Sequence, residues 1–152
     1  MTNTALAAAP LAPSAAATRK GHVALWAAQI VLGAFMIVAS GVPKFFAVEA
    51  AVQNFDAIGY GDWFMYAVGV LEVAGGIALL IPRLAGLAAT ALTALMVGAE
   101  VFTWVYLETT FWYTPVILGA AFAAIAYRRR AETADLYRSV RAGTFTIRGV
   151  TS

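Results

Sequence analysis

Two carboxylates lie inside long apolar stretches of the sequence. Glu72 stands in G-V-L-E-V-A-G-G and Glu100 stands in M-V-G-A-E-V-F. A charge that faces lipid near the bilayer centre costs about 2.5–3.5 kcal/mol or more, so both carboxylates should face other helices, pair with a cation or carry a proton. These two residues are therefore the best candidates in the chain for moving a proton or for holding a polar headgroup within the membrane.

Three further polar residues complete the candidate intramembrane site: Lys44, Gln29 and Thr93. Counting about 1.5 Å per residue along a helix places Glu72 near mid-membrane and Glu100 about 10 Å closer to the outer boundary. Lys44 follows the first apolar stretch, and this position predicts that its ammonium pairs with Glu100. Glu72 would then depend on hydrogen bonds from Gln29 or Thr93, or would carry its own proton. The alternative is that all of these groups only hold the helices in register through a buried hydrogen-bond network.

Histidine and cysteine are too scarce for common metal or redox chemistry. The chain has one histidine and no cysteine. Disulfides, thiolate sites and cysteine-ligated clusters are excluded, and an intramolecular zinc or haem site is not expected. We predict no metal site.

The composition is that of a membrane protein. Hydrophobic residues make up 62% of the 152 residues and charged residues only 12%, whereas a soluble domain carries about 25% charged residues. Too few polar residues are available to cover the surface that a soluble domain of this size exposes to water. Lipid is therefore the expected solvent for much of the chain.

Four apolar stretches are each close to the roughly 20 residues that a helix needs to cross a bilayer. We predict an all-α membrane protein with a bundle of four transmembrane helices, because a lipid-facing backbone must satisfy its own hydrogen bonds. Residues 1–20 are expected to be a disordered cytoplasmic tail, and the alternative is a cleaved signal peptide. Residues 131–152 are expected to be a basic cytoplasmic tail. This second tail should contain a short amphipathic helix near Ala131–Val140 that anionic lipid would attract. The predicted domain covers residues 21–130, with spans at Val23–Val42, Trp63–Ile81, Leu84–Leu107 and Phe111–Tyr127.

Polar and small residues recur at helical spacing on the first three predicted spans. These faces should pack together as a slightly polar seam, because small residues let membrane helices approach closely. The three sets are Gln29, Gly33, Met36 and Ser40; Gly69, Glu72 and Gly76; and Gly86, Ala89, Thr93 and Glu100.

The distribution of basic residues predicts the orientation. Nine of the ten Lys and Arg residues fall on one side of the predicted spans, and only Lys44 falls on the other. The positive-inside rule then places both termini in the cytoplasm and the loop Pro43–Asp62 outside. Aromatic residues agree, because Tyr60, Trp63, Trp104, Tyr106, Trp112 and Tyr113 gather near the predicted outer boundary.

The order of several short motifs resembles the DoxX-like family of small bacterial membrane proteins over roughly Val23–Arg130. The motifs are G-V-P-K-F at 41–45, G-V-L-E-V-A-G-G-I-A-L-L-I-P-R-L-A-G at 69–86, M-V-G-A-E at 96–100, and a fourth helix that begins at Pro115. The resemblance implies a four-helix bundle and suggests Lys44 and Glu72 as the positions most typical of the family pattern. Relatives often carry a histidine shortly after the third motif; this chain has Phe102, Thr103 and Trp104 there, so the resemblance implies no histidine-dependent chemistry.

The family name comes from a subunit of a thiosulfate:quinone oxidoreductase. The resemblance therefore implies an anchor or accessory subunit, with a quinone as the cofactor and an oxidoreductase subunit as the partner. The residues alone leave open whether the chain is itself an enzyme. The alternative function is a small proton-coupled carrier or channel that uses the intramembrane carboxylate Glu72. Membrane lipids and further copies of the chain are the other expected partners, and nucleic acid is not expected.

Overall fold

The computed structural model describes residues 15–107 and 112–142, and the regular elements within these ranges are all helices. Helix α1 (Ala15–Ala34) continues through a π-helical segment (Phe35–Gly41) into the short helix α2 (Val42–Phe45). The remaining helices are α3 (Glu49–Ile58), α4 (Asp62–Leu80), α5 (Ala85–Tyr106), α6 (Tyr113–Arg128) and α7 (Arg130–Arg141).

Within the described residues, three helical stretches are long and apolar enough to cross a membrane: Arg19–Phe45, Asp62–Leu80 and Ala85–Tyr106. They correspond to the first three predicted spans, and the chain is a multi-pass membrane protein. Helix α6 occupies the place of the fourth predicted span but has 16 residues, or about 24 Å of helix against about 30 Å of hydrocarbon. A fourth crossing, and with it the count of four spans, stays a prediction.

The long helices run up and down as antiparallel neighbours. Helix α1 and its π-helical extension pack along α4, α4 packs on α5, and α6 packs along α5. The described start of α1, the turn between α4 and α5 and the end of α6 therefore lie together, and we name this the turn end. Helix α3 contacts α4 and α5 at the opposite end, which we name the α3 end.

Glycines allow α1 and α4 to approach closely. A Cβ atom added to Gly76 would lie 2.9 Å from the carbonyl oxygen of Gly33 and 2.8 Å from Cγ1 of Ile37. Towards the α3 end, a Cβ atom added to Gly41 would lie 3.3 Å from the carbonyl oxygen of Gly69, which is a tight but less extreme approach. A larger residue at Gly76 would require α1 to shift, so the predicted small-residue faces of the first two spans are confirmed as packing faces.

The interior of the bundle is narrow and apolar. Its largest fully buried side chains include Met36, Met65, Leu79, Leu92 and Phe122. Many other large apolar side chains point outward; Ile30, Val31, Val70, Val97 and Ile117 are each more than half exposed. Such an outer surface suits helices whose solvent is the acyl chains of lipid.

The predicted tails differ in part from the structure. Helix α1 begins at Ala15, so the last part of the predicted disordered tail is helical. The amphipathic helix predicted near Ala131–Val140 is confirmed as α7. Residues 1–14 and 143–152, and the predicted turn at 108–110, lie outside the described residues.

Candidate functional site

A proline sets the local backbone that carries Lys44. Pro43 has no N–H to donate to the preceding turn, and its ring disfavours a regular helix through that point. The helix before Pro43 widens into the π-helical segment, in which the N–H of Val42 donates to the carbonyl oxygen of Ile37, five residues earlier. Short π-helical turns of this kind occur frequently at functional sites. The result is that Ser40 and Lys44 both face α4.

Lys44 and Glu72 form a buried ion pair near the α3 end. Lys44 Nζ lies 2.6 Å from Glu72 Oε2, and the two side chains are only 13% and 6% exposed. Ser40 Oγ donates a hydrogen bond of 2.9 Å to the other carboxylate oxygen, Glu72 Oε1. Lys44 Nζ also donates to the carbonyl oxygen of Ser40 at 2.9 Å. We call Ser40, Lys44 and Glu72 the Lys44–Glu72 site.

The ion pair is electrically neutral, yet its hydrogen bonding leaves one donor over. Both oxygens of Glu72 are bonded, whereas the Lys44 ammonium has three N–H donors and uses two of them on protein acceptors within the described residues. Its Nζ lies 6.0 Å from the ring centroid of Phe55, which places α3 over the site. The remaining N–H can donate to a carbonyl or another acceptor that enters beside this aromatic ring.

The predicted pairing of Lys44 with Glu100 is wrong. Depth counting placed Lys44 level with Glu100, but Cβ of Lys44 lies against Gly69, at 3.2 Å from the position of a Cβ on that residue. Gly69 is three residues before Glu72, a rise of about 4.5 Å, and a lysine side chain easily covers that distance towards the membrane interior. The prediction that Glu72 would contact Gln29 or Thr93 is also wrong, because its two carboxylate oxygens are bonded to Ser40 and Lys44 instead.

Glu100 lies apart from this ion pair. Its Oε1 accepts a 2.6 Å hydrogen bond from Nε1 of Trp104, one helical turn further along α5. Its Oε2 is buried and has no hydrogen-bond partner in the part of the chain that the structure describes. The two intramembrane carboxylates therefore have different surroundings, and among the described residues Glu72 is the one of the two that is paired with a cation.

The other two predicted site residues have separate roles. Thr93 donates its hydroxyl to the carbonyl oxygen of Ala89 on its own helix at 2.7 Å. Gln29 is fully buried near the turn end, where its Nε2 donates to the carbonyl oxygen of Leu79 at 3.2 Å. That carbonyl belongs to the last turn of α4, where helix carbonyls lack intrahelical partners. The five predicted residues thus do not form one site.

Arg129 forms a second polar centre at the turn end, which the sequence analysis missed. Its guanidinium is 3% exposed and donates to Oε1 of Gln29 from Nη2 at 2.6 Å and from Nε at 3.2 Å. Nη1 donates to Glu132 at 2.6 Å, and the guanidinium carbon lies 5.6 Å from the Trp26 ring centroid. A usable signal existed, because three consecutive arginines at the end of an apolar helix cannot all point away from the bundle.

The aromatic residues predicted at the outer boundary gather at the α3 end. Tyr60 and Tyr106 have ring centroids 6.3 Å apart, and Trp104 and Trp112 are also 6.3 Å apart. Within residues 15–107 and 112–142, no three His, Cys, Asp or Glu side chains cluster in a way that could hold a metal ion.

A family model, described as DoxX-like family, matches residues 27–125 of the chain. The chain belongs to the DoxX-like family. The match confirms the resemblance drawn from the motifs, and it includes both partners of the Lys44–Glu72 ion pair. It begins after Trp26 and ends before Arg129 and Glu132, so Gln29 is the one side chain of the second polar centre of this DoxX-like protein that lies inside the matched region. No curated protein and no solved structure matches the chain.

Proposed function

We propose that this DoxX-like protein is an anchor or accessory subunit of a quinone-linked oxidoreductase, and that its Lys44–Glu72 site binds the quinone headgroup. The observation that carries the proposal is the buried ammonium of Lys44, which holds one N–H donor beyond those it gives to Glu72 and Ser40. A quinone carbonyl is an acceptor for that donor. Hydrogen bonds from a charged donor are about twice as strong as neutral ones.

The surroundings of the ammonium suit a flat, lipid-soluble headgroup. Phe55 lies beside Nζ, and the rings of Phe45 and Tyr66 stack with centroids 6.5 Å apart on α2 and α4. Aromatic rings favour offset stacking with a planar ligand. The long apolar tail of a quinone would remain among the acyl chains that contact the outer faces of the helices.

The packing supports ligand binding over proton transport. A carrier or channel would need polar groups that continue from Glu72 towards the turn end. The buried residues next along this seam are Met36, Gly76 and Leu79, none of which has a titratable side chain. We therefore place the carrier function second.

We also propose four membrane crossings in a bacterial inner membrane, with both termini in the cytoplasm and α3 on the outer side. The antiparallel packing of α6 along α5 supports the fourth crossing. The excess of basic residues at the turn end supports the sidedness.

A binding experiment tests the quinone site. The purified full chain in nanodiscs is titrated with a short-chain ubiquinone analogue, and quenching of tryptophan fluorescence is followed. We expect saturable quenching, and a loss of affinity of about 10- to 100-fold in the double variant Lys44→Met/Glu72→Gln, because one charge-assisted hydrogen bond is removed without leaving a lone buried charge.

The matched control is Lys20→Met, which removes an exposed cation at the other end of the same helical stretch. It should bind the analogue like the parent chain. Equal affinity in the parent and the double variant would contradict a quinone site at Lys44 and would favour a purely structural ion pair.

A further inference from the structure

Helix α7 is fixed to the bundle at its start. A Cβ atom added to Gly86 on α5 would collide with Oγ1 of Thr133 and would lie 3.1 Å from the carbonyl oxygen of Arg129. The buried hydrogen bonds of Arg129 to Gln29 hold the same point from the other side. Helix α7 therefore leaves the turn end in a defined position, one residue after α6 ends at Arg128.

One side of α7 combines exposed apolar and basic residues. Arg130, Tyr137 and Arg141 are spaced by seven and four residues, which places them along one stripe of the helix. Val140 lies next to these three residues, and the side chains of Tyr137 and Val140 are 74% and 61% exposed. We name the four residues Arg130, Tyr137, Val140 and Arg141 the α7 stripe.

The acidic residues of α7 lie away from this stripe and are already paired. Glu132 is bonded to Arg129, and Asp135 accepts a 2.5 Å hydrogen bond from Arg138. The guanidinium carbon of Arg130 lies 4.4 Å from the ring centroid of Tyr127. Within the described residues, neither Arg130 nor Arg141 has an acidic partner. The stripe is therefore positively charged and carries an aromatic and an aliphatic side chain between its two arginines.

We propose that the α7 stripe binds the headgroups of anionic phospholipids on the membrane surface at the turn end. The chemistry is complementary, because guanidinium groups bond phosphate while tyrosine and valine enter the boundary between headgroups and acyl chains. The position is also suitable, because α7 starts at the turn end, where the three long apolar helical stretches meet the membrane boundary. Lipid contact then holds the second half of α7, which the contacts at Thr133 and Arg129 do not reach.

Site-specific fluorescence tests the proposal, and a chain without cysteine allows single labels. The full-length variants Tyr137→Cys and Ala131→Cys are labelled with an environment-sensitive dye and reconstituted into liposomes. One set of liposomes contains phosphatidylcholine only, and the other also contains phosphatidylglycerol. Ala131 is the matched control because it is exposed and lies about 120° around the helix axis from Tyr137.

We expect a blue-shifted, brighter label at position 137 in the phosphatidylglycerol liposomes and little change at position 131. Salt should reduce the difference, because the Debye length falls from about 10 Å at 0.1 M to about 3 Å at 1 M. In the 137-labelled chain, Arg130→Gln/Arg141→Gln should lower the ratio of lipid-bound to free α7 by about fivefold for each arginine removed. Arg138→Gln, which removes a cation already paired with Asp135, should retain the phosphatidylglycerol response.

Two results would overturn the proposal. The first is an equal response of positions 131 and 137 to phosphatidylglycerol. The second is a response that Arg138→Gln abolishes as fully as the double variant does, since general cationic attraction would then suffice. Each labelled variant is compared with itself in the two lipids, so a modest loss of stability in a variant does not affect the outcome.

Discussion

Removing one partner of the Lys44–Glu72 ion pair should destabilise the protein much more than removing both. At 2.6 Å and an effective dielectric constant of about 20, the Coulomb attraction is about 6 kcal/mol, and desolvation costs several kcal/mol for each ion. The net contribution of the intact pair is therefore small. A single neutral substitution, however, leaves an uncompensated buried charge, which costs about 3–5 kcal/mol.

A double-mutant cycle measures this coupling. Lys44→Met and Glu72→Gln are made singly and together, and the free energy of unfolding in mixed micelles is followed by far-UV circular dichroism. We expect the double variant to be more stable than Lys44→Met alone, so the coupling free energy should be about 3 kcal/mol or more. The matched cycle of Lys44→Met with Glu100→Gln should be additive within about 0.5 kcal/mol, because Glu100 is bonded to Trp104 instead.

Additive losses in the Lys44 and Glu72 cycle would contradict the ion pair. Equal coupling in the two cycles would contradict it as well, since Lys44 would then interact with both carboxylates through the general field of the bundle.

Three further predictions concern the packing, the turn end and the topology. Gly76→Ala should destabilise the bundle by about 1–3 kcal/mol through overpacking against α1, whereas Gly98→Ala, whose added Cβ meets nothing within 4 Å, should be neutral or slightly stabilising in the same unfolding assay. Arg129→Lys should expose α7 to protease, because an ammonium cannot make the two forked hydrogen bonds of a guanidinium. The control Arg128→Lys should not increase cleavage. Equal cleavage of both variants would contradict the buried contact of Arg129. A reporter fused after Ser152 should be active only on the cytoplasmic side, and activity on the outer side would contradict either the number of crossings or their direction.

The sequence predicted the helices and their packing faces well because lipid imposes simple rules. A span needs about 20 apolar residues, and small residues must face neighbouring helices. The burial of Gly33, Gly69 and Gly76 follows directly from these rules. Length alone did not decide the fourth span, because α6 has 16 residues.

The polar contacts were harder to predict because they depend on side-chain reach and on local backbone geometry. Helical rise gives the depth of a Cα atom, whereas the Lys44 ammonium lies some distance from its Cα atom. The π-helical segment before Pro43 also rotates Ser40 and Lys44 in a way that a regular period of 3.6 does not describe. Arg129 was assigned to the basic set that fixes orientation, and nothing in a count of charges distinguishes it from the exposed Arg128.

The most direct test of the proposed function is the composition of the protein as it comes from its own membrane. The tagged full chain is purified in mild detergent, and mass spectrometry identifies and quantifies the proteins and quinones that accompany it. We predict a partner protein with a redox cofactor together with bound quinone, and a Lys44→Met/Glu72→Gln variant that keeps the partner but loses the quinone. A folded parent chain that carries neither, or a double variant that retains as much quinone as the parent, would contradict the proposed function.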